Sequence, residues 1–200
     1  MPSAYSHPDW ELLLKSIAAS PDDDLPRLVA ADWLDEHDEP ERAEFIRVQI
    51  ARQTDARPEL EWREKALWNN PYFGGLWAVE ACPVLVGLPF DSSGSHLRVV
   101  GMERVQFRRG FAFRVTCSAE DWLKHGAGVV PRQPVREVSL TRCDELDLSR
   151  FWDMAPTLRR MSKVELDTRS PLAATWVRDR VCPGVPVFVD GELVEGVVIA

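Results

Sequence analysis

The 200-residue chain has four cysteines, Cys82, Cys117, Cys143 and Cys182, and no two of them form a Cys-x-x-Cys pair. That excludes the common zinc-ribbon and thioredoxin-type signatures and leaves reduced, buried thiols acting as small hydrophobes. A Gly-rich phosphate loop, a Gly-x-Ser-x-Gly elbow and a His-Glu-x-x-His helix are all missing, and with them the chemistries those motifs carry. The four histidines, His7, His37, His96 and His125, lie far apart, and no local signature pairs one with a cysteine. Long apolar runs are missing too. Stretches such as Val84–Leu88 are far too short to span a bilayer. Ser3–Glu11 is polar and acidic rather than basic and then apolar, so no secretory leader is expected and the expected location is cytoplasmic.

What is present is an ordinary globular composition, 45% hydrophobic and 28% charged. The charge is unevenly placed. Residues 1–69 carry 16 acidic and 8 basic side chains, which accounts for the whole net charge of −8. Such asymmetry predicts a two-part chain and disfavours nucleic acid as a partner of the first part.

The acidic third reads as a helical bundle. Ser6-x-x-Asp9 has the form of a capping box before Trp10, Leu13, Leu14, Ile17 and Ala18, which share one helical face. Ser20-Pro21 breaks that helix, and Asp22-Asp23-Asp24 supplies a cap for the next. Leu25, Leu28, Val29 and Trp33 are expected on the buried face of the second helix. Asp32 falls on that face as well, so it needs a partner, for which Arg27, Arg42, Arg47 or an indole N–H would serve. Pro40 opens a third helix with Ala43, Phe45, Ile46 and Ile50 inward, and Pro58 a fourth with Leu60, Leu67 and Trp68.

Within this stretch, Pro26-Arg-Leu, Ala31-Asp-Trp-Leu and Ala43-Glu-Phe-Ile-Arg stand in one segment covering roughly residues 9–53. The segment resembles the bacterial repeat-companion domain, a short N-terminal unit that precedes leucine-rich or other repeats. The resemblance implies architecture and carries no activity with it. Members usually place Gly where this chain has Asp38. Asp tolerates the left-handed conformation less well, so a differently built turn is expected there.

Residues 70–110 read as a transition and capping segment. Asn69-Asn-Pro and Phe73-Gly-Gly act as breakers, Asp91-Ser-Ser-Gly-Ser as a loop, and Leu97–Val100 and Arg104–Phe107 as short β-prone pieces. From residue 111 an apolar pattern repeats. Val135-x-x-Val138-x-Leu140-x-x-Cys143 recurs 26 residues later as Met161-x-x-Val164-x-Leu166-x-x-Arg169. Phe113/Val115 and Val187/Val189 extend it as weaker copies on either side, with helix-like stretches at Ser118–His125, Leu146–Arg160 and Leu172–Val181 between. Strand and helix alternating at near-constant period resemble leucine-rich repeats. The expected fold is therefore α/β: a small helical domain (1–69), the transition (70–110), then a short leucine-rich-repeat-like β/α solenoid with a parallel sheet (111–200). A different α/β domain, with Asp190-Gly191 turning a C-terminal hairpin, is the competing reading.

If the paired apolar positions point inward, their neighbours face out. Those neighbours are Arg114, Thr116, Glu137, Ser139, Thr141, Lys163, Glu165 and Asp167. Mixed charge at regular spacing predicts an unidentified protein or peptide partner held by a non-enzymatic interaction module. No cofactor or metal is expected. Two other sites compete. The carboxylates Asp22, Asp23, Asp24, Asp35, Glu36 and Asp38 could bind a hard cation for a metal-dependent enzyme, although helix capping also explains them. Arg98, Arg104, Arg108, Arg109 and Arg114, interleaved with Phe107, Phe111 and Phe113, could suit single-stranded nucleic acid. Strand alternation gives the same pattern, and a pI near 5.1 weighs against nucleic acid.

Overall fold

The computed structural model describes residues 4–70, 73–83 and 104–195. The readings placed on Val84–Leu88, Asp91–Ser95, His96, Leu97–Val100 and Arg98 lie outside them. Among the described residues the protein is mixed α/β, with eight α-helices and one six-stranded mixed sheet in the order β1-β2-β3-β4-β5-β6. The chain divides into two compact units, Met1–Phe113 with Pro131–Pro134, and Arg114–Val130 with Val135–Ala200.

The first unit contains α1 (Pro8–Ala19), α2 (Leu25–Asp35), α3 (Pro40–Ala51), α4 (Pro58–Trp68) and α5 (Gly74–Ala81). The first four each carry proline in their first two positions, where no intrahelical N–H is missed. His7, not Ser6, caps α1: its Nδ1 accepts the Asp9 N–H at 3.2 Å. At α2 it is Asp23 whose carboxylate accepts the Leu25 N–H, at 2.9 Å.

The buried face of α2 corrects the sequence expectation. Leu25 and Val29 are 65% and 47% exposed and Leu28 lies outward too, while Arg27, Ala30, Ala31 and Leu34 are buried. Hydropathy favours the larger side chains, but a tightly packed helix wants small ones. Ala30, Ala31 and Ala43 share one core cluster with Trp10, Leu14, Ile17, Leu34, Ile46 and Phe111. Asp32 consequently faces solvent, its side chain 73% exposed, and bonds Arg47 at 2.6 Å. Asp38 also departs from expectation. It adopts φ 61°, the left-handed conformation a glycine would take, and the Glu39 N–H reaches the Leu34 carbonyl at 3.0 Å across the turn. Phe73-Gly-Gly begins α5 rather than breaking the chain. A Cβ on Gly74 would stand 1.9 Å from the Trp68 carbonyl oxygen, so only glycine lets the two segments approach.

One clasp organises the rest of this unit. β1 (Val105–Arg108) and β2 (Phe111–Ser118) are joined by Arg109 and Gly110, at φ 51° and 84°. Positive φ at both positions of a two-residue connection is the mark of a type I′ hairpin turn. From α3, Arg42 donates to the Gly110 carbonyl at 2.6 Å and Gln49 accepts the Gly110 N–H at 2.6 Å. Ile46 lies between them, so close that a Cβ on Gly110 would meet its Cγ1 at 2.3 Å. These three share one helical stripe, at i, i+4 and i+7. The wholly buried Arg42 guanidinium also lies 4.9 Å from the Trp77 and Phe107 ring centroids.

In the second unit β2, β3 (Glu137–Thr141), β4 (Lys163–Leu166) and β5 (Val187–Val189) pair in parallel, connected through α6 (Ala119–Val129), α7 (Phe151–Leu158) and α8 (Pro171–Trp176). Val115, Cys117, Val138, Leu140, Val164, Leu166 and Val187 are buried at alternate positions. Ser118 caps α6, its hydroxyl accepting the Asp121 N–H at 3.0 Å, as Ser118-x-x-Asp121 suggests. The Leu146–Arg160 stretch is not one helix. Short 3-10 turns at Cys143–Glu145 and Leu148–Arg150 precede α7, and the Asp147 carboxylate caps the second through the Ser149 N–H. The sheet is mixed rather than parallel throughout. Asp190 and Gly191, at φ 50° and 81°, turn β5 back into an antiparallel β6 (Glu192–Leu193). The left-handed turn chemistry of Asp-Gly produces this hairpin.

Candidate functional site

Strand register builds the candidate face. Arg114 aligns with Glu137 and Glu137 with Lys163; Thr116 aligns with Ser139, Ser139 with Glu165, and Glu165 with Phe188. Ser118 aligns with Thr141 in the next row. Parallel pairing in register places these side chains on one side of the sheet, opposite the buried valines and leucines. All are half-buried, and Asp167, just beyond β4, is exposed.

The charges on this face are paired with one another. The Arg114 guanidinium bonds the Glu165 carboxylate two strands away and lies 3.6 Å from Glu137. The Lys163 ammonium lies 4.0 Å from Glu165 and 4.4 Å from the Phe188 ring centroid. The result is a closed charge lattice beside the hydroxyls of Thr116, Ser139 and Thr141. These contacts orient the polar groups in a regular pattern on one side of the sheet. The exposed Asp167 lies beyond this lattice, and its backbone continues the ladder: its N–H reaches the Leu140 carbonyl at 2.8 Å, and its carbonyl takes the Cys143 N–H at 3.2 Å. Phe188 belongs to the face but not to the candidates read from the sequence. Its signal was available, because burial of Val187 turns the next residue to the opposite side.

Behind the strand ends, Cys143 is buried with its thiol directed to the Leu140 carbonyl at 3.2 Å, and burial pushes that thiol up to about 12. Arg169 stands at the corresponding position of the second repeat and offers no such group. There Asp144 does the bonding: its carboxylate accepts the Thr168 hydroxyl at 2.5 Å and the Arg169 N–H at 3.0 Å. The Thr168 bond, with the Arg169 N–H second, holds Asp144 below the usual carboxylate range.

Among the described residues the two competing sites do not assemble as clusters. Asp23 bonds the start of α2, Asp24 lies 3.4 Å from Arg109, Asp32 and Asp35 both engage Arg47, and Asp38 forms the left-handed turn. Among the described residues no group of three or more His, Cys, Asp or Glu side chains is placed to hold a metal ion. The arginines likewise go separate ways. Arg108 lies 5.1 Å from the Phe113 ring and bonds Gln53, Arg109 donates to the Asp22 carbonyl at 2.8 Å, and Arg114 joins the sheet lattice. Phe111 is fully buried and Phe107 packs against the Phe45–Leu67–Trp77 cluster, so neither ring is presented for base stacking.

Comparison with models of known protein families, with curated proteins and with solved structures finds no match for this chain. Among the described residues no helix is long and apolar enough to cross a membrane.

Proposed function

We propose that the chain is a non-enzymatic interaction module or scaffold that takes a protein or peptide on the polar face of its parallel strands. In this reading the strands β2–β5 form a short leucine-rich-repeat-like stack, and the helical segment that precedes them is a repeat-companion domain. The observation that carries the proposal is the register. It aligns Arg114, Glu137 and Lys163 in one row and Thr116, Ser139, Glu165 and Phe188 in the next, on strands whose other side is core. A rigid, regularly spaced polar surface recognises a partner by complementarity and has little entropy left to lose on binding.

The test must spare the charge lattice, because reversing Arg114 or Glu165 would break intramolecular pairs. Ser139→Tyr with Thr141→Arg instead fills the face with bulk. Affinity capture from the native cell should retain a partner with the wild-type chain and lose it with this variant, while the melting temperature stays unchanged. Undiminished capture by a folded variant would sink the proposal.

A further inference from the structure

A groove of about 550 Å³ opens in the second unit between the segment Thr168–Thr175 and the β5–β6 hairpin. Its size falls within the range of small-molecule sites. It lies just past the carboxyl ends of β4 and β5. Ala174, Val189 and Leu193 give it an apolar lining.

The charges around it are unlike those on the sheet face. Arg169 lines one wall and Asp190 and Glu192 the other. No ion pair of 4.0 Å or less joins Arg169 to either carboxylate; Arg169 stands instead beside Asp144, whose carboxylate accepts its N–H at 3.0 Å and feels its charge. On the sheet face Arg114, Glu137, Lys163 and Glu165 all meet opposite charge within that reach. Residues of opposite charge that line one groove without pairing with each other leave room for a molecule that carries both signs.

We propose that this groove binds a zwitterionic ligand of amino-acid or short-peptide size. The ligand's carboxylate goes to Arg169, where a planar guanidinium suits it in bidentate fashion. Its ammonium goes to Asp190 and Glu192, and its apolar side chains rest on Val189 and Leu193.

The test is a nuclear magnetic resonance titration of the full chain with two probes, free leucine and the dipeptide of two leucines. Saturable shifts at Thr175 and Val189 with either probe are expected, and the better binder identifies the size class. N-acetylation or C-amidation of that probe should weaken binding at least tenfold, since each removes one charge. Arg169→Gln, and Asp190→Asn with Glu192→Gln, should do the same. Asn tolerates the left-handed turn that Asp190 occupies, so the second variant keeps its hairpin. Absence of shifts with both probes at millimolar concentration would overturn the proposal. So would binding that survives either variant or either capping reaction.

Discussion

Replacing Arg42 by alanine, lysine and methionine should give three different losses of stability, and their order tests how the first unit is pinned. In the native protein the buried guanidinium donates to the Gly110 carbonyl at 2.6 Å and lies 4.9 Å from the Trp77 and Phe107 ring centroids. A charged hydrogen bond contributes about 1.5–3 kcal/mol and a desolvated cation–π contact about 2 kcal/mol. Against them stands the burial of a full charge, which pulls the Arg42 pKa down and costs several kcal/mol in general. Alanine removes the charge but strands the Gly110 carbonyl and opens a cavity, for a net loss of about 3–5 kcal/mol. Lysine keeps the charge but cannot reproduce the planar fork over the rings, and should lose about 2–4 kcal/mol. Methionine fills the stem's volume and removes the buried charge, leaving the stranded carbonyl, at about 1–2 kcal/mol, and the Glu80 carboxyl without its main offsetting charge. Guanidinium unfolding followed by tryptophan fluorescence measures all three. Equal losses for methionine and alanine, or an alanine variant within about 1 kcal/mol of wild type, would refute the reasoning. Arg42 is also the charge that most offsets the burial raising the Glu80 carboxyl. A raised folded pKa contributes stability at low pH that is lost as pH rises through it. Without Arg42 that rise grows, so the methionine variant's deficit should shrink between pH 7 and pH 5.

Other consequences follow from single contacts. Gly110→Ala forces a Cβ into Ile46 and a left-handed alanine, and should cost at least about 3 kcal/mol by the same unfolding assay. Asp38→Gly should raise stability by about 0.5–1 kcal/mol, because the turn already sits at φ 61°. Asp144 has a lowered folded pKa, so its contribution is present above the ordinary carboxylate range and lost as pH falls through the folded value. The wild-type melting temperature should therefore drop more steeply below about pH 4 than that of Asp144→Asn. Cys143, buried and pushed up to about 12, should resist iodoacetamide at pH 8 until the chain is unfolded; rapid native labelling read by mass spectrometry would contradict its packing.

Much of the local structure was legible because it depends on near neighbours. The prolines at Pro40 and Pro58 mark helix starts by backbone geometry alone, and Ser118-x-x-Asp121 caps α6 within one turn. The period of Val138/Leu140 and Val164/Leu166 placed two adjacent parallel strands and their outward side chains. What was not legible depends on residues distant in sequence. Gly110 is required by Ile46 and bonded by Arg42 and Gln49, none of which is near it along the chain. The α2 face was misread because alanines carry little hydropathy, although close packing selects them. Seven of the eight outward residues stand on β2, β3 and β4 and Asp167 just past β4, but the pairing among their charges was not legible. That Arg114 reaches across β3 to Glu165 depends on side-chain reach over the assembled sheet, which no linear spacing encodes.

The proposed partner face can be tested most directly by photo-crosslinking in the native cell. A photoreactive side chain is placed at Thr116 or Thr141 on the sheet, and for comparison at Lys124, which is exposed on α6. A discrete protein adduct from the sheet positions and none from Lys124 is the predicted result. Adducts of equal yield from all three positions, or none from the sheet, would contradict it.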